Sequence, residues 1–131
     1  MSLILCTGID PALLETRKLI LERAGHTVIT ATDQRQVAAA CEKHQLGVAV
    51  IGQTVAPPMR KLIASLIRKH CRSAKILELY PPYEGRVVKD ADDWLEVPVD
   101  IPDDLVERVE ELIQKGKPTP ITNSEGPLTQ A

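Results

Sequence analysis

Short apolar runs alternate with segments of helical period along the first 113 residues of this chain. Leu3-Ile4-Leu5-Cys6 ends at Thr7-Gly8, and its length and flanks predict a buried strand. Asp10 offers a cap and Pro11 a first-turn proline for a helix. In that helix Leu13, Leu14, Ile20, Leu21 and Ala24 recur at helical spacing until Gly25. Thr27-Val28-Ile29-Thr30 is β-branched and predicts a second strand, and Asp33 caps a helix through Val37, Ala38, Cys41 and His44. Val48-Ala49-Val50-Ile51 is apolar on both faces, as a central parallel strand requires. Pro57 and Pro58 open a third helix with Met59, Leu62, Ile63, Leu66 and Ile67 on its inner face. Lys75-Ile76-Leu77-Glu78-Leu79 and Trp94-Leu95-Glu96-Val97 predict two more strands. Pro102 leads a last helix with the stripe Leu105, Val106, Val109, Leu112 and Ile113.

Strands alternating with helices imply a parallel sheet covered on both faces through right-handed crossovers. Five strands of this size fit a flavodoxin-like three-layer α/β sandwich of order 2-1-3-4-5, over residues 1–115. Residues 116–131 turn to Pro, Ser, Thr and Gly without periodicity and are expected to be a tail or linker. Ligands of such sheets bind beyond the carboxyl ends of the strands. Here that crest carries Gly8, Ile9, Asp10, Gly52, Gln53, Thr54, Tyr80 and Val97. One gap breaks the alternation: the thirteen residues between Tyr80 and Trp94 include Pro81, Pro82 and Gly85. The fourth helix is expected to be missing or vestigial.

Composition narrows the class. A hydrophobic fraction of 44% and a charged fraction of 26% are ordinary for a globular protein, and no apolar run is long enough to span a membrane. Met1 to Leu5 passes straight into a strand-like run, so no secretory signal is expected. Three cysteines (Cys6, Cys41, Cys71) make no disulfide framework and suit the cytoplasm. The net charge of −2 hides a separation: residues 1–75 carry eleven Lys/Arg against five Asp/Glu, while residues 76–113 carry three against twelve. Such asymmetry speaks of partners rather than fold. There is no Phe, and all three aromatic residues, Tyr80, Tyr83 and Trp94, lie in or beside the gap.

Ile4-Leu5-Cys6-Thr7-Gly8-Ile9-Asp10-Pro11-Ala12-Leu13, followed by Leu21 to Val28, resembles the opening of bacterial response-regulator receiver (CheY-like) domains. Ala91 to Asp100 resembles their fifth strand and the proline after it. The resemblance runs from about Leu3 to Ile113 and implies aspartyl phosphorylation at the crest. That chemistry needs an acceptor carboxylate, acids that hold Mg²⁺, and a hydroxyl and a Lys for the phosphoryl oxygens. The acidic pair falls on Gly8 and Ile9, with Asp10 beside them; the acceptor falls on Gly52; the hydroxyl position falls on Tyr80, or on Leu79 with a one-residue slip, and the Lys position on Val97. Only Pro98, preceded by a cis bond in the family, is kept. The resemblance thus implies a pseudo-receiver in bacterial signalling that has no enzymatic turnover, cofactor or metal. Tyr80 is expected to lie over the space left by Gly8 and Gly52.

Other candidate chemistry is weaker. Cys6 invites comparison with phosphocysteine loops, but a Cys-x5-Arg loop needs Arg where Ala12 stands, so a buried strand cysteine is expected. Cys41-x-x-His44 and His70-Cys71 are zinc-ligand types, yet Cys41 lies on the apolar stripe and helix-end packing is expected. The basic run Arg60, Lys61, Arg68, Lys69, His70 and Arg72 comes with no recognition helix or aromatic platform. It reads as a solvated helix face, so nucleic acid is not expected. Asp90, Asp92 and Asp93 are expected at the surface before the fifth strand. The expected partner site is the face of strand 4, strand 5 and the last helix, with Tyr80, Tyr83 and Trp94 as contacts. It would take a protein partner or a second copy on an uncovered sheet face and an open strand edge; the alternative is a monomer in which Tyr83 and Pro81-Pro82 fold over the gap. A different function is a ligand-sensing or phosphocarrier domain using the crest at Cys6, Gly8, Gly52 and Tyr80.

Overall fold

The computed structural model describes residues 3–98 and 102–116. In chain order the elements are β1 (Leu3–Thr7), α1 (Pro11–Arg23), β2 (Thr27–Ala31), α2 (Gln34–Lys43), β3 (Val48–Ile51), α3 (Pro57–His70), β4 (Lys75–Tyr80), β5 (Asp93–Glu96) and α4 (Pro102–Gly116). All five strands run parallel in the order β2-β1-β3-β4-β5, the flavodoxin-like arrangement. Residues 117–131, nearly all of the expected tail, lie outside the described residues.

Strand alternation divides the core. Leu5, Ala49, Ile51 and Ile76 face α2 and α3, where Val37, Cys41, Ile63 and Ile67 meet them. Ile4, Cys6, Val48, Val50, Leu77 and Leu79 face α1 and α4 and pack on Leu14, Leu21, Leu105, Val109 and Leu112. Each fully buried aliphatic side chain removes enough apolar surface from water to contribute about 1.5–3 kcal/mol. The caps follow from the sequence: Asp10 accepts from the Ala12 and Leu13 N–H groups, and Asp33 Oδ1 from the Gln36 N–H at 2.8 Å. Gly25, at φ 97°, takes the left-handed turn that ends α1.

Several boundaries and faces differ from expectation. β5 begins one residue early, at Asp93, and Val97 follows it as a buried residue whose N–H bonds Tyr80 O at 2.9 Å. His44 is exposed and extended because α2 stops at Lys43, and Ala24 is exposed at the end of α1. The inner face of α3 is Arg60, Ile63, Ala64 and Ile67, while Leu62 points to solvent. Between β4 and β5 there is no helix among the described residues. A turn closes on Pro81 instead, with the N–H groups of Glu84 and Gly85 bonding Pro81 O and Gly85 at φ 72°.

Candidate functional site

The crest is built by the loops after β1 and β3, and those loops grip each other. Thr54 Oγ1 accepts from the Ile9 N–H at 2.8 Å and the Asp10 N–H at 3.4 Å. Gly52 N–H bonds Thr7 O at 3.0 Å, and the Thr7 hydroxyl donates to Val50 O. Asp10, the acid closest to the crest of β1, uses Oδ1 to cap α1. Ile9 is exposed.

At the acceptor position the close packing is decisive. A Cβ on Gly52 would lie 2.6 Å from Thr7 O and 2.9 Å from Arg17 Nη1. Arg17 reaches there from the inner face of α1, three residues after Leu14 and four before Leu21, and donates to Gln53 Oε1. A guanidinium therefore stands beside Gly52, where the resemblance puts an acidic pocket. The expectation that Tyr80 fills this space is wrong: Tyr80 is half-buried at the end of β4, and its ring meets Arg86. A Cβ on Gly8 would meet Thr54 Oγ1 at 3.3 Å and Leu14 Cδ1 at 3.6 Å.

Cys6 is fully buried on the α1/α4 side of the sheet. Burial pushes its thiol up to about 12, with the Arg17 charge pulling weakly the other way. Such a thiol is no nucleophile at neutral pH. Arg17 itself is lowered from its ordinary value, chiefly by burial.

The gap between β4 and β5 is not an uncovered face. Val88, Ala91 and Trp94 pack onto the α2/α3 core cluster, and beneath them lies an ion pair of Arg60 and Glu78. Glu78 accepts from Arg60 Nη1 at 2.9 Å and from the Val87 and Val88 N–H groups, and Arg60 also donates to Val55 O and to Glu84. Arg60 is thus a core residue, against the expectation of a solvated basic face, because its partner acid sits on β4 and the missing helix leaves room for it. Arg68 of the same run pairs with Asp92, which also accepts from the Ile76 N–H. The acids before β5 tie the segment down rather than simply facing water.

The edge of the sheet is closed at Trp94. Its N–H bonds Asp93 Oδ1 at 2.8 Å and its carbonyl accepts from Arg108 Nη1 at 2.7 Å, so side chains occupy what a further strand would use. The Trp94 indole N–H donates to Val88 O, and Arg86 stacks 4.6 Å from its ring centroid. Tyr83 does not fold over the gap: it is 88% exposed. A shallow concavity beside this stack is lined by Asp93, Glu96, Asp104, Glu111, Arg86 and Arg108. On the other side of the gap, a groove of about 540 Å³ between α3 and residues 87–90 carries Lys61, Arg68, Lys69 and Lys89.

Cys41 and Cys71 form a disulfide, which corrects the expectation of unpaired thiols. The last turn of α2 lies beside the end of α3 and brings their Cα atoms to 5.4 Å. Among the described residues no group of three His, Cys, Asp or Glu is placed to hold a metal, and no helix is long and apolar enough to cross a membrane. The Val97–Pro98 bond is cis. Sequence reasoning missed Arg17, Arg60 and Glu78, although helical spacing already put both arginines on inner faces.

No protein-family model matches this chain, and no curated protein matches it. Solved structures do. A CheY-like response regulator receiver domain protein from Methanospirillum hungatei JF-1 is 24% identical, with a TM-score of 0.77 over 88% of this chain and 96% of that one. A receiver domain protein from Clostridium thermocellum is 19% identical, with a TM-score of 0.76 over 88% and 96%. A receiver-modulated diguanylate cyclase from Pelobacter carbinolicus is 18% identical, with a TM-score of 0.74 over 88% and 95%. The fold is that of a CheY-like receiver domain.

Proposed function

We propose that this chain is an atypical receiver domain of bacterial two-component-type signalling, which works without aspartyl phosphorylation as a cytoplasmic protein-interaction module and has no turnover of its own. The observation that carries this reading is the packing at Gly52, where Thr7 O and Arg17 Nη1 take the space of an acceptor side chain. An acceptor needs a carboxylate open to in-line attack and a metal to neutralise the phosphoryl charge. A guanidinium beside a bare backbone offers neither. The phosphocarrier alternative loses its nucleophile, since Cys6 is buried and holds its proton.

The interaction role draws support from the β4–β5 region. Its Arg86 stack against Trp94, the exposed Tyr83 and the acidic flank of Glu96, Asp104 and Glu111 form a surface with aromatic contacts and an excess of acids over the arginines Arg86 and Arg108. The partner it suits carries a basic face. Because the edge is closed at Trp94, that partner docks through side chains rather than by adding a strand.

Acetyl phosphate with Mg²⁺ tests the first half of the proposal. Intact-mass measurement should find no adduct, and beryllofluoride should leave the amide NMR spectrum unchanged. A stoichiometric acyl phosphate would overturn it.

A further inference from the structure

Between α1 and α4, next to the crest, lies a cavity of about 240 Å³. Leu13, Thr16, Arg17 and Ile20 line it from one face of α1, and Leu79, Leu95, Val97 and Leu105 supply apolar walls from the sheet and α4. Among the described residues its one charged group is Arg17, only 7% exposed. That guanidinium donates to Gln53 Oε1, and among the described residues it has no carboxylate within ion-pair distance. A buried cation without a directly paired counter-ion is costly, and its two nearest titratable neighbours offset that cost only in part. Cys6, its neighbour, is a neutral thiol at physiological pH, and Asp10, whose charge favours the guanidinium from a distance, spends its Oδ1 on the first turn of α1 rather than on an ion pair with Arg17.

We propose that this cavity binds a small aliphatic carboxylate, its head paired with Arg17 and its chain lying against Leu13, Leu79, Leu95, Val97 and Leu105. The planar guanidinium matches a carboxylate in bidentate fashion. An inorganic phosphate fits poorly, because among the described residues no second cation lines the cavity and most of its wall would strip the anion of water without replacing the hydrogen bonds. The volume falls below the ~300–1,000 Å³ of drug-sized sites, which selects a short chain. The cavity shares Leu95 and Pro98 with the β4–β5 concavity and Arg17 with the crest, but carboxylate binding requires neither partner docking nor the absence of phosphorylation, so the two tests fail separately.

Calorimetric titration of the full chain with sodium hexanoate, hexan-1-ol and inorganic phosphate tests it. Hexanoate should bind at one site per chain, hexan-1-ol at least about tenfold more weakly, and phosphate not at all. Arg17→Met and Leu13→Trp should each weaken hexanoate by about tenfold or more, the first by removing the charge and the second by filling the cavity. Should Arg17→Met not fold, Leu13→Trp together with hexanoate-induced shifts of the Gln53, Leu79 and Val97 amide signals carries the test. Equal binding of the alcohol, preference for phosphate, or no hexanoate binding up to millimolar concentration overturns the proposal.

Discussion

Arg60 of α3 and Glu78 of β4 form an ion pair of 2.9 Å in which neither side chain reaches solvent. The pair stands where a fourth helix would otherwise cover the sheet. Glu78 collects the Val87 and Val88 N–H groups, which fixes the path of the coil, and Arg60 fixes the loop after β3 through Val55 O. Removing one partner strands the other charge in the core. Arg60→Met alone and Glu78→Leu alone should each destabilise by about 3–5 kcal/mol in urea melts. The double variant should lose less than the sum of the two, though not return to wild type, because the Val87 and Val88 donors stay unpaired. Additive losses would show that the pair is not coupled.

Restoring the acceptor should fail for a steric reason. Gly52→Ala places a Cβ against Thr7 O, a backbone atom of β1 that cannot swing aside, and should destabilise by about 1–3 kcal/mol. Gly52→Asp should destabilise as well and take up no phosphoryl group from acetyl phosphate. Adding Arg17→Ala relieves only the side-chain contact, so the double variant should remain inactive too. Acyl phosphate formation by Gly52→Asp would mean that β1 yields more easily than its two flanking strands suggest.

The order of strands, both aspartate caps and the missing helix were legible because each rests on local signals: apolar runs, cap residues, and a proline-rich gap too short for a crossover helix. The charged core was not. Arg17 and Arg60 sit at helical spacing from Leu14 and Ile63, so their inward direction was in the pattern, but charge argued for the surface. What reverses that argument is tertiary: Glu78 lies 18 residues from Arg60, and Gln53 lies 36 from Arg17. The Cys41–Cys71 pairing is hidden for the same reason, since it depends on how α2 and α3 lie side by side. Tyr80 is expected over the crest because two glycines promise open space there, and nothing local reveals that Thr7 O and Arg17 close the space at Gly52 or that the Tyr80 ring lies by Arg86.

Cys6 should give the protein a distinctive alkaline profile. Its thiol holds its proton to about 12 in the fold against 9.0 as a free group. Below pH 9 both states are protonated and the contribution is present in full. As pH rises from 9 to 12 only the unfolded state ionises, so this site should remove about 1.4 kcal/mol of stability per pH unit. Cys6→Ala should melt with a shallower alkaline slope than wild type, by that difference. In the wild-type protein at pH 8, iodoacetamide should leave Cys6 unmodified until the fold is opened. Fast alkylation of the native state would contradict the buried placement.

Acids and lysines collect on different sides of the β4–β5 gap, which suits head-to-tail contact between copies. The acidic ledge of Glu96, Asp104 and Glu111 lies on one side, and on the other a groove lined by Lys61, Lys69 and Lys89, in which Arg68 is held by Asp90 and Asp92. Two different patches in contact do not close on themselves as a two-fold dimer does, so the expected behaviour is weak, concentration-dependent chains of copies. Sedimentation at low salt should show this association, and added salt should suppress it as the Debye length falls from about 10 Å at 0.1 M to about 3 Å at 1 M. Trp94 is a poor probe, since it packs on the core and its indole bonds Val88 O. Tyr83 is a clean one: Tyr83→Ala should change stability by no more than about 0.5 kcal/mol while weakening association by about 2 kcal/mol if the ring is an anchor. Glu96→Lys should weaken it as well, and adding Lys89→Glu to the same chain should restore part of the loss. A chain that stays monomeric at low salt and high concentration would remove the self-association reading. It would leave a separate basic protein as the partner for the same acidic ledge, and Glu96→Lys would then weaken capture of that protein.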